Sequence, residues 1–249
     1  MFCKKETKRV IEGLWNYLDT GTNVDAGCQV KNPVSSYTCD EMARQEWESF
    51  FQDYSHALGL SSELPEAGSF LTNSDLGKPI LMTRDEQGRF RAFLNVCRHR
   101  GAILEEKDRG RRRLFSCPFH GWGYSSAGGL ISVPKEDQFG DIDKSCNGLV
   151  ELPAEEKHGI LWVHPDPNGS FDLEAQLGDL AAEFDSWGFE KYIFQGNTTF
   201  EHQMNWKLAI DTFGETYHFN TLHRDTLAKD FYGNCQMYDR LERNHRMML

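Results

Sequence analysis

Four residues of this 249-residue chain have the types and spacing to hold metal: Cys97-x-His99, then seventeen residues, then Cys117-x-x-His120. Two short pairs of cysteine and histidine are a metal signature. A zinc finger keeps its cysteines in one pair and its histidines in the other, with the histidines on a helix. Here each pair carries one of each. That mixed order suits a two-iron, two-sulfide cluster, in which two thiolates hold one iron and two imidazoles the other, each loop giving one ligand to each iron. Neutral imidazole in place of thiolate removes negative charge and raises the reduction potential. Gly101 and Gly121 come after each histidine, where a tight loop calls for positive φ, and Pro118 stiffens the second loop.

A second constellation lies at residues 205–223, NWKLAIDTFGETYHFNTLH. Asn205 is placed to cap a helix. Asp211, Glu215 and His218 follow at spacings of four and three, which predicts one shared helix face. Leu208, Ile210, Phe213, Tyr217 and Phe219 form no single apolar stripe, so the helix is expected to be buried on several sides. Carboxylates and an imidazole on a buried helix are costly unless paired or bound to metal. His223 lies five residues past His218, and a π-bulge or a break near Asn220 would bring both onto one metal. Two histidines and a carboxylate with open positions make the facial triad of non-haem Fe(II) oxygenases.

The run from Phe93 to Gly101, the CPFHGW segment at 117–122 and the run from Gly159 to Pro165 resemble the Rieske domain of a known family, the large (alpha) subunits of Rieske-type non-haem iron aromatic-ring-hydroxylating oxygenases. Glu-x-x-His-x-x-x-x-His, from Glu215 to His223, is similar to the mononuclear iron motif of the same family. The resemblance implies a [2Fe–2S] Rieske cluster on Cys97, His99, Cys117 and His120, and a mononuclear Fe(II) on His218 and His223. It implies that Glu215 links the two metal sites in electron transfer between subunits, with Asp211 assisting. Many members carry Asp at the position of Glu215; Glu occurs in some that act on quaternary amines.

The third, carboxylate iron ligand is expected downstream of residue 249. Asp225, Asp230, Asp239 and Glu242 do not match its place, and the chain reads as the N-terminal part of the large subunit. The implied fold is α+β: an N-terminal helix and linker arm (1–45), a mostly-β Rieske [2Fe–2S] domain (46–165), and the N-terminal part of a helix-grip (START-like) catalytic domain (166–249). The implied reaction uses O2 and electrons from NAD(P)H, through a reductase and/or a ferredoxin, to hydroxylate or dihydroxylate a small organic, aromatic substrate. The full-length form is expected as a homotrimer or hexamer. Two alternatives stand beside it: an oxidative demethylase or monooxygenase of a small quaternary amine, and a Rieske electron-transfer fragment without oxygenase activity of its own.

Composition narrows the partners. A net charge of −11 argues against nonspecific binding to nucleic acid and against anionic membrane surfaces. No stretch of about 18 apolar residues is present for a membrane span, and no apolar signal core follows the first basic residues, so a cytoplasmic protein is expected. Cys3, Cys28, Cys39, Cys146 and Cys235 show no pairing pattern and read as free thiols in a reducing compartment.

The elements that must position these side chains are also legible. Residues 1–20 read as a helix with Val10, Leu14, Trp15 and Leu18 near one face, 21–37 as an extended arm, and Asp40 to Tyr54 as a second helix. From Ser69 to Val163 the pattern is β, with strands at 70–72, 79–83, 90–94, 114–116 and 130–133 and turns at Asp85–Gly88 and Gly128-Gly129. Arg109–Arg113 reads as a solvated turn or as a docking site for an acidic ferredoxin. Residues 166–180 read as a polar connection, and 192–194, 198–202 and 244–249 as strands.

Overall fold

The computed structural model describes residues 2–249, in two compact units. One comprises 46–173 with 187–196; the other comprises the chain up to Gln45, 174–186 and 197–249.

The first unit is built from antiparallel strands: β1 (His56–Leu60), β2 (Ser69–Asn73), β3 (Ile80–Arg84), β4 (Phe90–Leu94), β5 (Arg109–Arg111), β6 (Leu114–Ser116), β7 (Gly123–Ser125), β8 (Leu130–Ser132), β9 (Glu151–Leu152), β10 (Ala154–Lys157) and β11 (Ile160–Val163). They form a five-stranded sheet in the order β5-β2-β3-β4-β9 and two three-stranded sheets, β1-β11-β10 and β6-β7-β8. Successive side chains of a strand point to opposite faces, and here both faces of the large sheet are covered. Phe70, Leu81 and Phe93 pack with Phe115, Tyr124 and Leu130 in one core, which also holds Cys97 and Cys117. Their neighbours Leu71, Ile80, Met82 and Ala92 pack with Leu161 and Val163 in the other. This explains why every residue of β3 is buried.

The Asp85–Gly88 turn forms as expected, with the buried Asp85 carboxylate accepting the backbone N–H of Gln87 and of Arg89. The basic run is exposed to solvent, but it opens with a strand and not a turn. Arg109–Arg111 pairs with β2, and Arg109, Arg111 and Arg112 meet Glu63, Glu66 and Glu105. Own-chain carboxylates thus neutralise most of the patch read as a docking site.

The second unit holds α1 (Phe2–Thr20), α2 (Ser35–Thr38), α3 (Asp40–Glu46), α4 (Leu173–Leu177), α5 (Leu180–Trp187), α6 (Trp206–Phe213), α7 (Phe219–Leu222) and the hairpin β12 (Met237–Leu241) with β13 (Asn244–Met248); α3 and α5 reach its boundaries at Gln45 and Ser186. Arg246 on β13 is buried and bonded to Glu6, Glu183 and Asp239, tying α1, α5 and the hairpin together.

Several expectations change. The helix from Asp40 becomes a π-helix at Trp47 and ends at Gln52. The 166–180 connection contains α4, and 192–194 and 198–202 form no strands. Nor is 205–223 one helix: α6 stops at Phe213, and Gly214 caps it through its N–H to the Ile210 carbonyl at 2.8 Å. It is not buried on several sides either, for Ile210 is 61% and Phe213 81% exposed. Among the described residues, no helix is long and apolar enough to cross a membrane.

Candidate metal centres

The two Cys/His pairs sit on loops of the same construction. In the first, which follows β4, the Cys97 N–H donates to the Ala102 carbonyl at 2.8 Å and the Gly101 N–H to the Cys97 carbonyl at 3.0 Å. In the second, between β6 and β7, the Cys117 N–H donates to Trp122 at 2.8 Å and the Gly121 N–H to Cys117 at 2.9 Å. The glycine is four residues past the cysteine in both, at φ +76° for Gly101 and +74° for Gly121, a conformation that side chains resist. Asn95 clasps the base of the first loop: its amide donates to the Glu105 carbonyl at 2.7 Å and accepts the Glu105 N–H at 3.0 Å.

These frames bring the four side chains together. Cys97 and Cys117 are buried in one core, while His120 is exposed and His99 half-buried. The imidazole centroids of His99 and His120 are 4.7 Å apart. His99 stacks on Trp122 at 4.8 Å and meets Phe139 edge-on. Burial pushes the Cys117 thiol up, and the adjacent Cys97 adds to this. Burial, then His120 and Arg100, hold His99 below its ordinary value, which favours the neutral form that binds metal. The Tyr124 hydroxyl, buried beside Cys97, is pushed well above its ordinary range.

The residues fit a cluster on a direct observation: the buried Nδ1 of His99 has no hydrogen-bond partner. Such an orphan is rare unless something binds it. Two adjacent buried thiols that form no disulfide answer to the same explanation, since metal stabilises thiolates that burial alone disfavours. Among the described residues, no three His, Cys, Asp or Glu side chains converge as a site for one ion. A two-iron cluster needs no such convergence, because each iron takes two protein ligands.

The second constellation is built differently from its spacing. Asn205 caps α6 as expected, its side chain accepting the Lys207 N–H at 3.0 Å. Past Gly214, buried Thr216 is held by the Gln236 side chain, which accepts its N–H at 2.9 Å and its hydroxyl at 2.7 Å. Glu215 then turns its carboxylate forward: one oxygen meets His218 Nδ1 at 2.5 Å, and the other accepts the N–H of Tyr217 and of His218. Desolvation opposes ionisation of Glu215, but these bonds outweigh it and its carboxyl lies below its ordinary value. His218 and His223 stand at the two ends of α7 with ring centroids 5.2 Å apart. His223 Nδ1 lies 3.4 Å from the Thr226 hydroxyl. Each ring thus has Nδ1 occupied and Nε2 free of that contact, a donor pair suited to iron. An open cavity of about 850 Å3 adjoins them, lined in part by Tyr217, His218, Thr221, Leu222 and Asn234.

Asp211 is not brought to this group. Its carboxylate accepts the Tyr37 hydroxyl at 2.7 Å, because the chain turns away after Gly214 and the shared face is never completed. Spacing alone also missed Trp122 as a stacking partner of His99, Gln236 as the anchor of Thr216, and Tyr124 against Cys97. Only Tyr124 left a signal, as a large residue on the strand leading out of the second loop.

Comparison with known proteins agrees with this geometry. The Rieske [2Fe-2S] domain family matches residues 55–153, and the catalytic domain of the ring hydroxylating alpha subunits matches 189–249. The alpha subunit of biphenyl 2,3-dioxygenase from Rhodococcus jostii is 31% identical over 74% of this chain and 41% of its own length. The oxygenase subunit of glycine betaine monooxygenase from Chromohalobacter salexigens is 30% identical over 78% of this chain and 43% of its own. A solved quaternary ammonium Rieske monooxygenase, described for carnitine oxidation by gut microbiota and inter-subunit electron transfer, superposes with a TM-score of 0.69 at 26% identity, covering 76% of this chain and 52% of that one. The chain therefore spans less than half the length of these curated relatives. A Rieske domain implies a [2Fe–2S] cluster, and the ring-hydroxylating catalytic domain a mononuclear iron. With both domain types matched in order along it, the chain belongs to the Rieske-type non-haem iron ring-hydroxylating oxygenase large subunits.

Proposed function

We propose that Cys97, His99, Cys117 and His120 hold the [2Fe–2S] cluster, that His218 and His223 hold the mononuclear iron, and that the whole protein is the oxygenase component of an O2- and NAD(P)H-dependent system. The observation that carries this reading is the pair of matched loops that present two buried thiols and two imidazoles, with His99 Nδ1 unpartnered. When bound, the two groups supply one-electron relay and O2 activation for hydroxylation or dihydroxylation of an organic substrate.

The chain's own residues prepare both places. The cysteines keep the sulfur side of the first site dry, while the exposed edge of His120 offers the route by which an electron enters or leaves. Glu215 fixes the tautomer and direction of His218 by holding Nδ1. A second bond from Glu215 to a cluster histidine of a neighbouring subunit would join the two sites, and a homotrimer or hexamer of the whole protein follows from that role. The electron source is a reductase, with or without a ferredoxin between.

Anaerobic purification followed by iron and acid-labile sulfide analysis and EPR of the reduced protein tests the assignment. Two irons and two sulfides per cluster with a Rieske signal are expected. Cys97→Ala or His120→Ala should abolish the visible absorption, and unchanged spectra would reject the ligand set.

A second reading, oxidation of a small quaternary amine, rests on the glycine betaine and quaternary ammonium relatives and on Glu at 215. Formaldehyde release from a trimethylammonium substrate by the whole protein with its reductase distinguishes demethylation from ring hydroxylation. Loss of O2 uptake with retained reversible one-electron reduction would leave the chain as an electron carrier.

A further inference from the structure

We infer that Asn23 is a positioning residue for the iron histidines: it holds residues 234–236 against Thr216 and so fixes where His218 and His223 stand, an inference that rests on the ligand reading proposed above. The two histidines cannot place themselves. They flank α7, a helix of four residues, and Gly214 separates it from α6. A single turn of helix is unstable alone in water. Its anchor is Thr216, fully buried, whose carbonyl accepts the Phe219 N–H at 3.1 Å where α7 begins. A Cβ on Gly233 would come within 2.6 Å of the Asn220 side-chain oxygen, so the segment that starts there lies directly against α7.

Asn23 grips the same segment from the N-terminal arm. Gly21, at φ +63°, turns the chain at the end of α1, and the Thr22 N–H returns to the Tyr17 carbonyl at 3.0 Å. The turn delivers half-buried Asn23 to residues 234–236. Its Oδ1 accepts the Gln236 N–H at 3.0 Å and the Val24 N–H at 2.8 Å, and its Nδ2 donates to Asn234 Oδ1 at 3.0 Å. A backbone N–H can only donate, which fixes the orientation of the Asn23 amide. Both residues that Asn23 holds reach Thr216. Gln236 Oε1 accepts the Thr216 N–H at 2.9 Å and its hydroxyl at 2.7 Å, while the Asn234 N–H donates to that hydroxyl at 3.0 Å. Asn23, Asn234, Thr216 and Gln236 thus close a ring of hydrogen bonds. Glu215, which holds His218, is the residue before Thr216. Without Asn23 the ring opens, residues 234–236 are free to shift, and Thr216 carries α7 and its two histidines with them.

The test is Co(II) binding to the whole 249-residue chain, by calorimetry for affinity and by EPR for coordination geometry, with the cluster oxidised and so EPR-silent. Asn23→Leu is similar in size and removes both donor and acceptor. Its Co(II) affinity should fall about tenfold, the lower end of the effect of losing an outer partner of a metal ligand. Its Co(II) signal should broaden as the histidine pair loses its fixed geometry. Asn23→Asp keeps the oxygens that accept the two N–H groups, and Asn234 can turn its amide to donate, so this variant should retain the affinity. Equal affinity in all three proteins would overturn the inference, even if Asn23→Leu unfolds earlier in urea. So would an Asp variant as weak as the Leu variant. Hydrogen exchange on the unsubstituted protein needs no variant to fold. Coupling between linked sites is reciprocal, so saturating Co(II) should slow exchange at the Val24 and Gln236 amides; unchanged exchange with Co(II) bound would also overturn it. Absence of Co(II) binding to the unsubstituted protein would instead reject the ligand reading, and this inference with it.

Discussion

At the residue scale, the two candidate metal constellations differ in how much of their geometry spacing alone encodes. Cys97, His99, Cys117 and His120 lie in loops short enough for each Cys–Gly frame to be closed by two local hydrogen bonds. Glu215 and His218 also meet at their expected spacing of three, though in a turn and not on a helix. Glu215→Ala should leave His218 free to rotate and weaken metal affinity at the histidine pair by about 10–100-fold, the usual cost of losing such a partner. Titration with Co(II) as a spectroscopic probe would read this, and unchanged affinity would reject the orienting role.

At the element scale, the β unit follows from period-two alternation read on both faces of the large sheet. Phe70 against Leu71 and Phe93 against Ala92 split between two cores, so each strand contributes to both. The helical unit depends on caps. Asn205→Ala removes the acceptor for the Lys207 N–H and should cost about 1 kcal/mol, seen as an earlier urea transition of the helical unit. The break at Gly214 was not legible because spacings of four and three describe an uninterrupted helix. What ends α6 is a long-range hold on Thr216 by Gln236, twenty residues on, together with the Glu215 carboxylate that takes the next backbone N–H groups.

At the scale of the whole molecule, charge is the quantity that matters. Arg9 and Arg246 hold the Glu6 carboxyl at about 2, against its ordinary 4.5. A carboxylate depressed in the folded state adds stability above its unfolded value and loses it as pH falls through the folded one. Stability of the helical unit should therefore decline between pH 4.5 and 2, and urea midpoints across that range measure it. Arg246→Ala should cost about 3–5 kcal/mol at neutral pH, because it leaves the buried Glu183 without its partner. It should also flatten the acid dependence.

The sequence by itself determined the candidate ligand types, their loops and most of the strands around them, and its motifs carried the resemblance to the family. The loops and strands rest on local information: residue chemistry, period-two alternation and turn-forming glycines. Only the tertiary structure decided that Asp211 leaves the group of Glu215, His218 and His223 for Tyr37, that carboxylates neutralise most of the Arg109–Arg113 run, and that Tyr124 stands against Cys97. Those pairings join residues far apart in the chain, or across sheets, where spacing carries no signal. Which one forms is settled by the packing that brings its partners together.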